Sequence, residues 1–155
     1  MSDFCNTSIE KCYKIRLKSR KEMIGLKQLT PNLMVHNVNK TVSFYQEILG
    51  FELVMSVPQE GVFNWAMVQR GSVSLMFQEK DNIIEEYPVL KDTPIGGGLT
   101  FYIKVKDVKG LYNKIKEQVS IVLDVHKTFY GAEEFAMQDI NGFVLTFAED
   151  TSAED

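Results

Sequence analysis

Histidine and cysteine, the side chains that most often hold transition metals, are almost missing from this sequence: its 155 residues include two of each. The cysteines, Cys5 and Cys12, sit near the N-terminus without the paired histidines or further cysteines of a zinc site, so they read as free thiols. Long apolar runs are lacking too. No stretch approaches the roughly 18–20 residues that a membrane-spanning helix needs. The first residues, MSDFCNTSIEKCYKIRLKSRK, have no hydrophobic middle of the kind a secretory leader carries. The expectation is a cytoplasmic protein with no membrane partner. Basic residues are scarce beyond residue 27, with ten against eighteen acids, whereas residues 1–27 carry seven against three. An acidic body argues against a nucleic-acid partner and favours neutral or cationic small ligands. The basic leader has no sustained apolar face and no interleaved aromatics. Residues 1–27 therefore read as a flexible or partly helical extension, with Met23 as an alternative start. Also missing are paired carboxylates, a nucleophile beside its base and a phosphate-binding loop.

What the chain does contain is a repeat. LTPNLMVHNV (Leu29 to Val38) and LTFYIKVKDV (Leu99 to Val108) open alike, 70 residues apart. At the same offset Leu75-Met76-Phe77-Gln78-Glu79 matches Leu145-Thr146-Phe147-Ala148-Glu149, and Trp65-Ala66-Met67 matches Phe135-Ala136-Met137. Three blocks in one register, with no net gap, point to a duplicated half-domain. Two copies are too few for an extended array and must pack on each other.

Each copy reads β-α-β-β-β. Alternation predicts opening strands at 29–35 and 98–105, where Leu99, Phe101, Ile103 and Val105 alternate with Thr100, Tyr102 and Lys104. Helical spacing follows over 39–48, ended by Gly50, and over about 107–117. Strands near 51–57, 62–70 and 72–79, then 120–126, 132–138 and 143–149, complete the copies. Arg70-Gly71 and Asp139-Ile140-Asn141-Gly142 supply the turn chemistry before each last strand. The organisation expected is one α+β domain over 28–150, with module one at 28–79, a linker at 80–97 holding Pro88 and Pro94, and module two at 98–149. Residues 151–155 read as an acidic tail.

VHNVNKTVSFYQEILGFEL, WAMVQRGSVSLMFQE and YGAEEFAMQDINGFVLTFAE, in this order and spacing, resemble the vicinal-oxygen-chelate superfamily of glyoxalases, bleomycin-resistance proteins and extradiol dioxygenases. The resemblance covers about 28–149 and implies two tandem βαβββ modules forming a curved mixed sheet around a central cleft, often in a homodimer. It says little about reaction, because one scaffold hosts several chemistries. In metal-dependent members, ligands are His, Gln or Glu on the first and last strands of each copy. Those positions fall here on Thr30, Met76, Thr100 and Thr146. Threonine hydroxyls are poor neutral ligands and a thioether suits copper(I), so neither metal nor other cofactor is expected. Of the two histidines, His36 reads as a rim residue and His126 as an exposed residue at a strand-to-turn junction.

The cleft expected from this register comprises Thr30, Asn32, Met34, Trp65, Ser74, Met76, Gln78, Thr100, Tyr102 and Thr146, with Lys104 at a solvated strand end and Phe135 divided between cleft and core. Aromatic surface, adaptable methionine and a few hydroxyl or amide groups suit a small molecule. Candidate proton-transfer residues are Tyr102, Glu134 and Tyr130. The resulting expectation is a metal-free, bleomycin-resistance-like protein binding an aromatic or cationic small molecule such as an antibiotic. The alternative is a lyase or isomerase acting on a small carbonyl compound, metal-independent or with unorthodox ligands. A third reading is a regulatory module that uses the fold as a dimer scaffold.

Overall fold

In a computed structural model, residues 25–151 are described; the N-terminal extension up to residue 24, with Cys5, Cys12 and Met23, and residues 152–155 of the tail lie outside them. Module one runs β1 (Asn32–Val35), α1 (Val38–Glu47), β2 (Glu52–Val57), β3 (Trp65–Arg70) and β4 (Val73–Glu79). After α2 (Lys80–Glu86) and a short 3-10 turn (Pro88–Leu90), module two runs β5 (Thr100–Lys104), α3 (Val108–Ile115), β6 (Ser120–Lys127), β7 (Ala132–Gln138) and β8 (Val144–Asp150). The strands divide into two four-stranded sheets of identical plan, β1-β4-β3-β2 and β5-β8-β7-β6. In each, the first and last strands of the module pair in parallel and the others are antiparallel. The two-module α+β expectation holds, with the sheet divided in two.

Local chemistry explains the helix ends. Asn37 caps α1 by accepting from the Lys40 N–H at 2.8 Å, and Asp107 caps α3 by accepting from the Gly110 N–H at 2.8 Å. Gly50, at φ +66°, turns the chain out of α1. Val38, Val42 and Tyr45 form the buried stripe of α1, and Val108 and Ile115 that of α3. These stripes join Leu33, Val35, Leu75 and Phe77 of one sheet and Phe135, Met137, Leu145 and Phe147 of the other in one continuous core. Leu99, which alternation groups with the buried-side residues Phe101 and Ile103, is 43 % exposed because β5 begins only at Thr100.

Two sequence readings need correction. The segment 80–97 is not plain linker: α2 lies against β1 and β4, its Ile83 buried. The repeat also contains a gap. Trp65 pairs with Gln78, and the residue paired with the equivalent Ala148 is Glu134, not Phe135. Two residues, Gly71-Ser72, separate the paired ends Arg70 and Val73 of the first hairpin. The second turn, Ile140-Asn141-Gly142 between the bonded Asp139 and Phe143, has three, one residue more, and this shifts β7 by one relative to β3. Because strand side chains alternate faces, the shift puts Phe135 in the core opposite Phe147 and turns Glu134 to the other face.

The longer turn also clamps the modules together. The buried Tyr45 hydroxyl donates to Asp139 Oδ2 at 3.0 Å, and the Asn141 amide donates to Thr41 Oγ1 at 3.0 Å. Burial pushes the Asp139 carboxyl above the ordinary carboxylate range, against the lowering effect of hydrogen bonds from Phe143, Asn141 and Tyr45. Ionised Asp139 is therefore costlier in the folded chain than in the unfolded one. That cost is absent below the unfolded value of about 3.9, grows as pH rises toward the raised folded value, and is full above it. Asp139→Asn keeps an acceptor for the two backbone N–H groups, so its stability relative to wild type is expected to be higher at pH 7 than near pH 4. Urea denaturation at both pH values checks this; a difference that does not change with pH counts against it.

Candidate functional site

Each sheet has one face on the helices and one open face, and the cross-strand pairs order the open faces into rows. On the first sheet Met55, Met67, Met76 and Asn32 stand side by side across β2, β3, β4 and β1. The next row is Val57, Trp65, Gln78 and Met34. On the second sheet the equivalent rows are Leu123, Ala136, Thr146 and Tyr102, then His126, Glu134, Ala148 and Lys104. One face is thus thioether, indole and aliphatic; the other carries phenol, imidazole and carboxylate. Met55, at 58 % exposed, and Tyr102, at 52 %, present large side chains to solvent.

The linker helix changes what the first face offers. Gln78 is only 5 % exposed. Its carbonyl accepts from the Asn32 amide at 2.6 Å, and its amide donates to Asn82 at 2.8 Å and Glu86 at 3.0 Å. The bond from Gln78, with one from Tyr87, holds the Glu86 carboxyl below its ordinary range. Met34 and Ser74 are buried as well. Of the cleft residues expected on this sheet, Asn32, Trp65, Met76 and Thr30 remain accessible, and Gln78, Met34 and Ser74 serve packing. Thr30 lies just ahead of β1, accepting from Gln28 at 3.2 Å.

On the second face, Thr100 and Tyr102 are exposed on β5, with Thr146 half-buried beside Tyr102. Glu134 is 9 % exposed. Its Oε2 accepts from the Tyr130 hydroxyl at 2.8 Å, and its Oε1 lies 3.6 Å from His126 Nε2, an ion pair when the ring is protonated. His126 Nδ1 lies 3.0 Å from the Asp124 carbonyl, which orients the ring. His126 is the penultimate residue of β6 with its side chain 38 % exposed, as its reading at a strand-to-turn junction expects. The Tyr130 phenol is pushed up to about 12, chiefly by its bond to Glu134 and then by desolvation and Tyr102. At neutral pH it stays a proton donor that fixes Glu134, a poor choice for a general base. His36 is exposed just past β1.

Sequence reasoning missed Met55, Met67 and Leu123 on the open faces. The signal was the strand alternation, which Met67 keeps with Trp65 on β3, whereas β-bulges between Leu53 and Met55 on β2 and around Leu123 on β6 break that two-residue period.

A family model, described as the Glyoxalase/Bleomycin resistance protein/Dioxygenase superfamily, matches residues 25–147. The chain belongs to this superfamily. Solved structures of the superfamily's fold agree. TioX from Micromonospora sp. ML1 is 18 % identical at a TM-score of 0.66, covering 81 % of this chain and 99 % of its own. A glyoxalase/bleomycin resistance protein/dioxygenase from Nocardioides is 14 % identical at 0.69, covering 96 % of each chain. The bleomycin-binding protein of Streptomyces verticillus, complexed with copper(II)-bleomycin, is 25 % identical at 0.56, covering 81 % of this chain and 97 % of its own. No curated protein matches the chain.

For a superfamily member, the donor set can be tested against the metal that some relatives use. The corresponding positions hold three threonines and a methionine: Thr30, Thr100, Thr146 and Met76. Among the described residues no group of three His, Cys, Asp or Glu side chains is placed to share an ion. These residues do not fit a zinc, nickel or iron centre of the superfamily's type. The chemistry left to the open faces is aromatic and thioether contact with one partly buried carboxylate.

Proposed function

We propose that this superfamily member is a cytoplasmic, metal-free binding protein for an aromatic, cationic small molecule. The Met55–Met67–Met76 row with Trp65 forms one wall, and Tyr102 and Glu134 the other. The observations that carry the reading are exposed thioether and aromatic side chains on one open face and, on the other, a carboxylate that accepts from Tyr130 and lies beside His126. Polarisable sulfur and π-surface favour flat aromatic bodies, and a partly desolvated carboxylate favours a cation. Apolar side chains left open on both sheets favour a homodimer in which a second copy completes the cleft. The Streptomyces relative supports an antibiotic as one ligand class, since its structure holds copper(II)-bleomycin.

Trp65, the single tryptophan, supplies the test. Aromatic cations are expected to quench its emission saturably, and anionic isosteres to bind at least about tenfold more weakly, the worth of about 1.4 kcal/mol. Tyr102→Ala is expected to cost about tenfold as well. Equal affinity for cations and anions would remove the role given to Glu134. A second reading, a lyase or isomerase on a small carbonyl compound, draws on that same carboxylate as a base. It requires solvent deuterium to enter the α-position of a small ketone in the presence of protein and not with Glu134→Gln.

A further inference from the structure

Between the modules, against α3 and the end of α1, runs a groove of about 670 Å³. Leu49, Phe51 and Val73 of module one and Val105 and Leu111 of module two give it apolar walls. Its origin is the asymmetry between the two hairpin turns. In the pseudo-equivalent place the longer turn of module two fills the space on α1: Tyr45 bonds Asp139, Asn141 bonds Thr41, and Phe143 is buried. In the groove the counterparts are smaller or cannot bond each other. Gly71-Ser72 is one residue shorter, Val73 stands for Phe143, Leu111 for Thr41, Ile115 for Tyr45 and Arg70 for Asp139. Arg70 donates instead to the Leu49 carbonyl at 2.5 Å.

The charge around this groove runs against that of the whole chain. Residues 28–155 hold ten basic and eighteen acidic side chains. The groove is lined by Arg70, Lys104, Lys106 and Lys114 and by a single acid, Asp107. Asp107 is engaged in capping α3, and Lys104 is paired with Asp150 at 2.6 Å. Arg70, Lys106 and Lys114 form no ion pair among the described residues. A volume of this size lies within the range of ligand pockets, roughly 300–1,000 Å³, and module interfaces are a common place for them.

We propose that this inter-module groove is a second binding site, separate from the sheet cleft, for an apolar carboxylate. Its alkyl or aryl body lies along Leu49, Phe51, Val73 and Leu111, and its carboxylate meets Arg70, Lys106 and Lys114. The guanidinium fork matches a carboxylate geometrically, and the lysines add charge that the acidic body elsewhere denies to an anion.

Isothermal titration of the full chain with decanoate below its micellar concentration tests the site, with decan-1-ol and decyltrimethylammonium as controls of equal chain length. Decanoate is expected to bind with one-to-one stoichiometry, at least about tenfold more tightly than either control, and more weakly at high salt. The exposed pair Lys106→Glu with Lys114→Glu is expected to lower that affinity at least about tenfold with an unchanged circular dichroism spectrum. Val73→Phe, which restores the bulk of Phe143, should weaken decanoate and decanol alike, and Tyr102→Ala should leave decanoate unaffected. Absence of saturable decanoate binding, an alcohol that binds as well, or a loss caused by Tyr102→Ala and not by the lysine pair overturns the proposal.

Discussion

Replacing Glu134 with glutamine is expected to lower the affinity for an aromatic cation by about 30- to 100-fold while leaving the fold in place. The side chain is 12 % exposed and its two oxygens are assigned, one to the Tyr130 hydroxyl and the other toward His126. Glutamine has nearly the same shape, and its carbonyl still accepts from Tyr130, so no cavity forms. What disappears is the negative charge facing a ligand in a partly desolvated site, where a charged hydrogen bond is worth about 1.5–3 kcal/mol. The measurement is Trp65 quenching with a cation and its neutral isostere on both proteins. The selective loss should fall on the cation; an equal loss for both ligands would assign Glu134 to structure. Tyr130→Phe adds a control: it frees Glu134 to move without removing its charge, so its effect on cation affinity should be smaller.

The second large effect concerns stability. Tyr45→Ala is expected to destabilise the fold by about 4 kcal/mol, within the range of about 3–5 for deleting a buried aromatic ring. Tyr45 is fully buried, its ring against Phe44, Phe51 and Phe77, and its hydroxyl is the donor to Asp139 across the module interface. Removal opens a cavity in module one and leaves a buried carboxylate oxygen of module two without its partner. Tyr45→Phe separates the two: it keeps the ring and should cost only about 1–3 kcal/mol for the orphaned acceptor. Urea denaturation of the three proteins measures both. A cost for Tyr45→Phe equal to that for Tyr45→Ala would mean that the interface bond, and not ring packing, dominates.

Most of the architecture was legible in the residues. Strand alternation such as Leu75-Met76-Phe77 and Phe101-Tyr102-Ile103, together with helix stripes and caps, is local chemistry with a fixed period, and it located every strand and the helices α1 and α3 to within a few residues. The same alternation put Thr30, Met76, Thr100 and Thr146, the positions to which the resemblance assigns metal ligands, on one face of their strands. It failed where one residue was gained. The extra residue in the Asp139–Phe143 turn leaves no trace in composition, yet it rotates β7 by a full face relative to the repeat and delivers Glu134, not Phe135, to the open side.

The sequence by itself therefore determined the duplicated βαβββ plan and, through its motifs, the superfamily, because these follow from residue type and period along the chain. Only the tertiary structure decided which of the cleft residues stay open. Gln78 and Met34 have the right parity, but α2 folds back on β1 and β4, and Asn32, Asn82 and Glu86 take up the Gln78 amide. The tertiary structure alone also opened the basic inter-module groove, since it depends on how turns of unequal length meet helices of the opposite module, as far as 100 residues away. Such distances are set by packing across the modules, for which no run of neighbouring residues carries a signal.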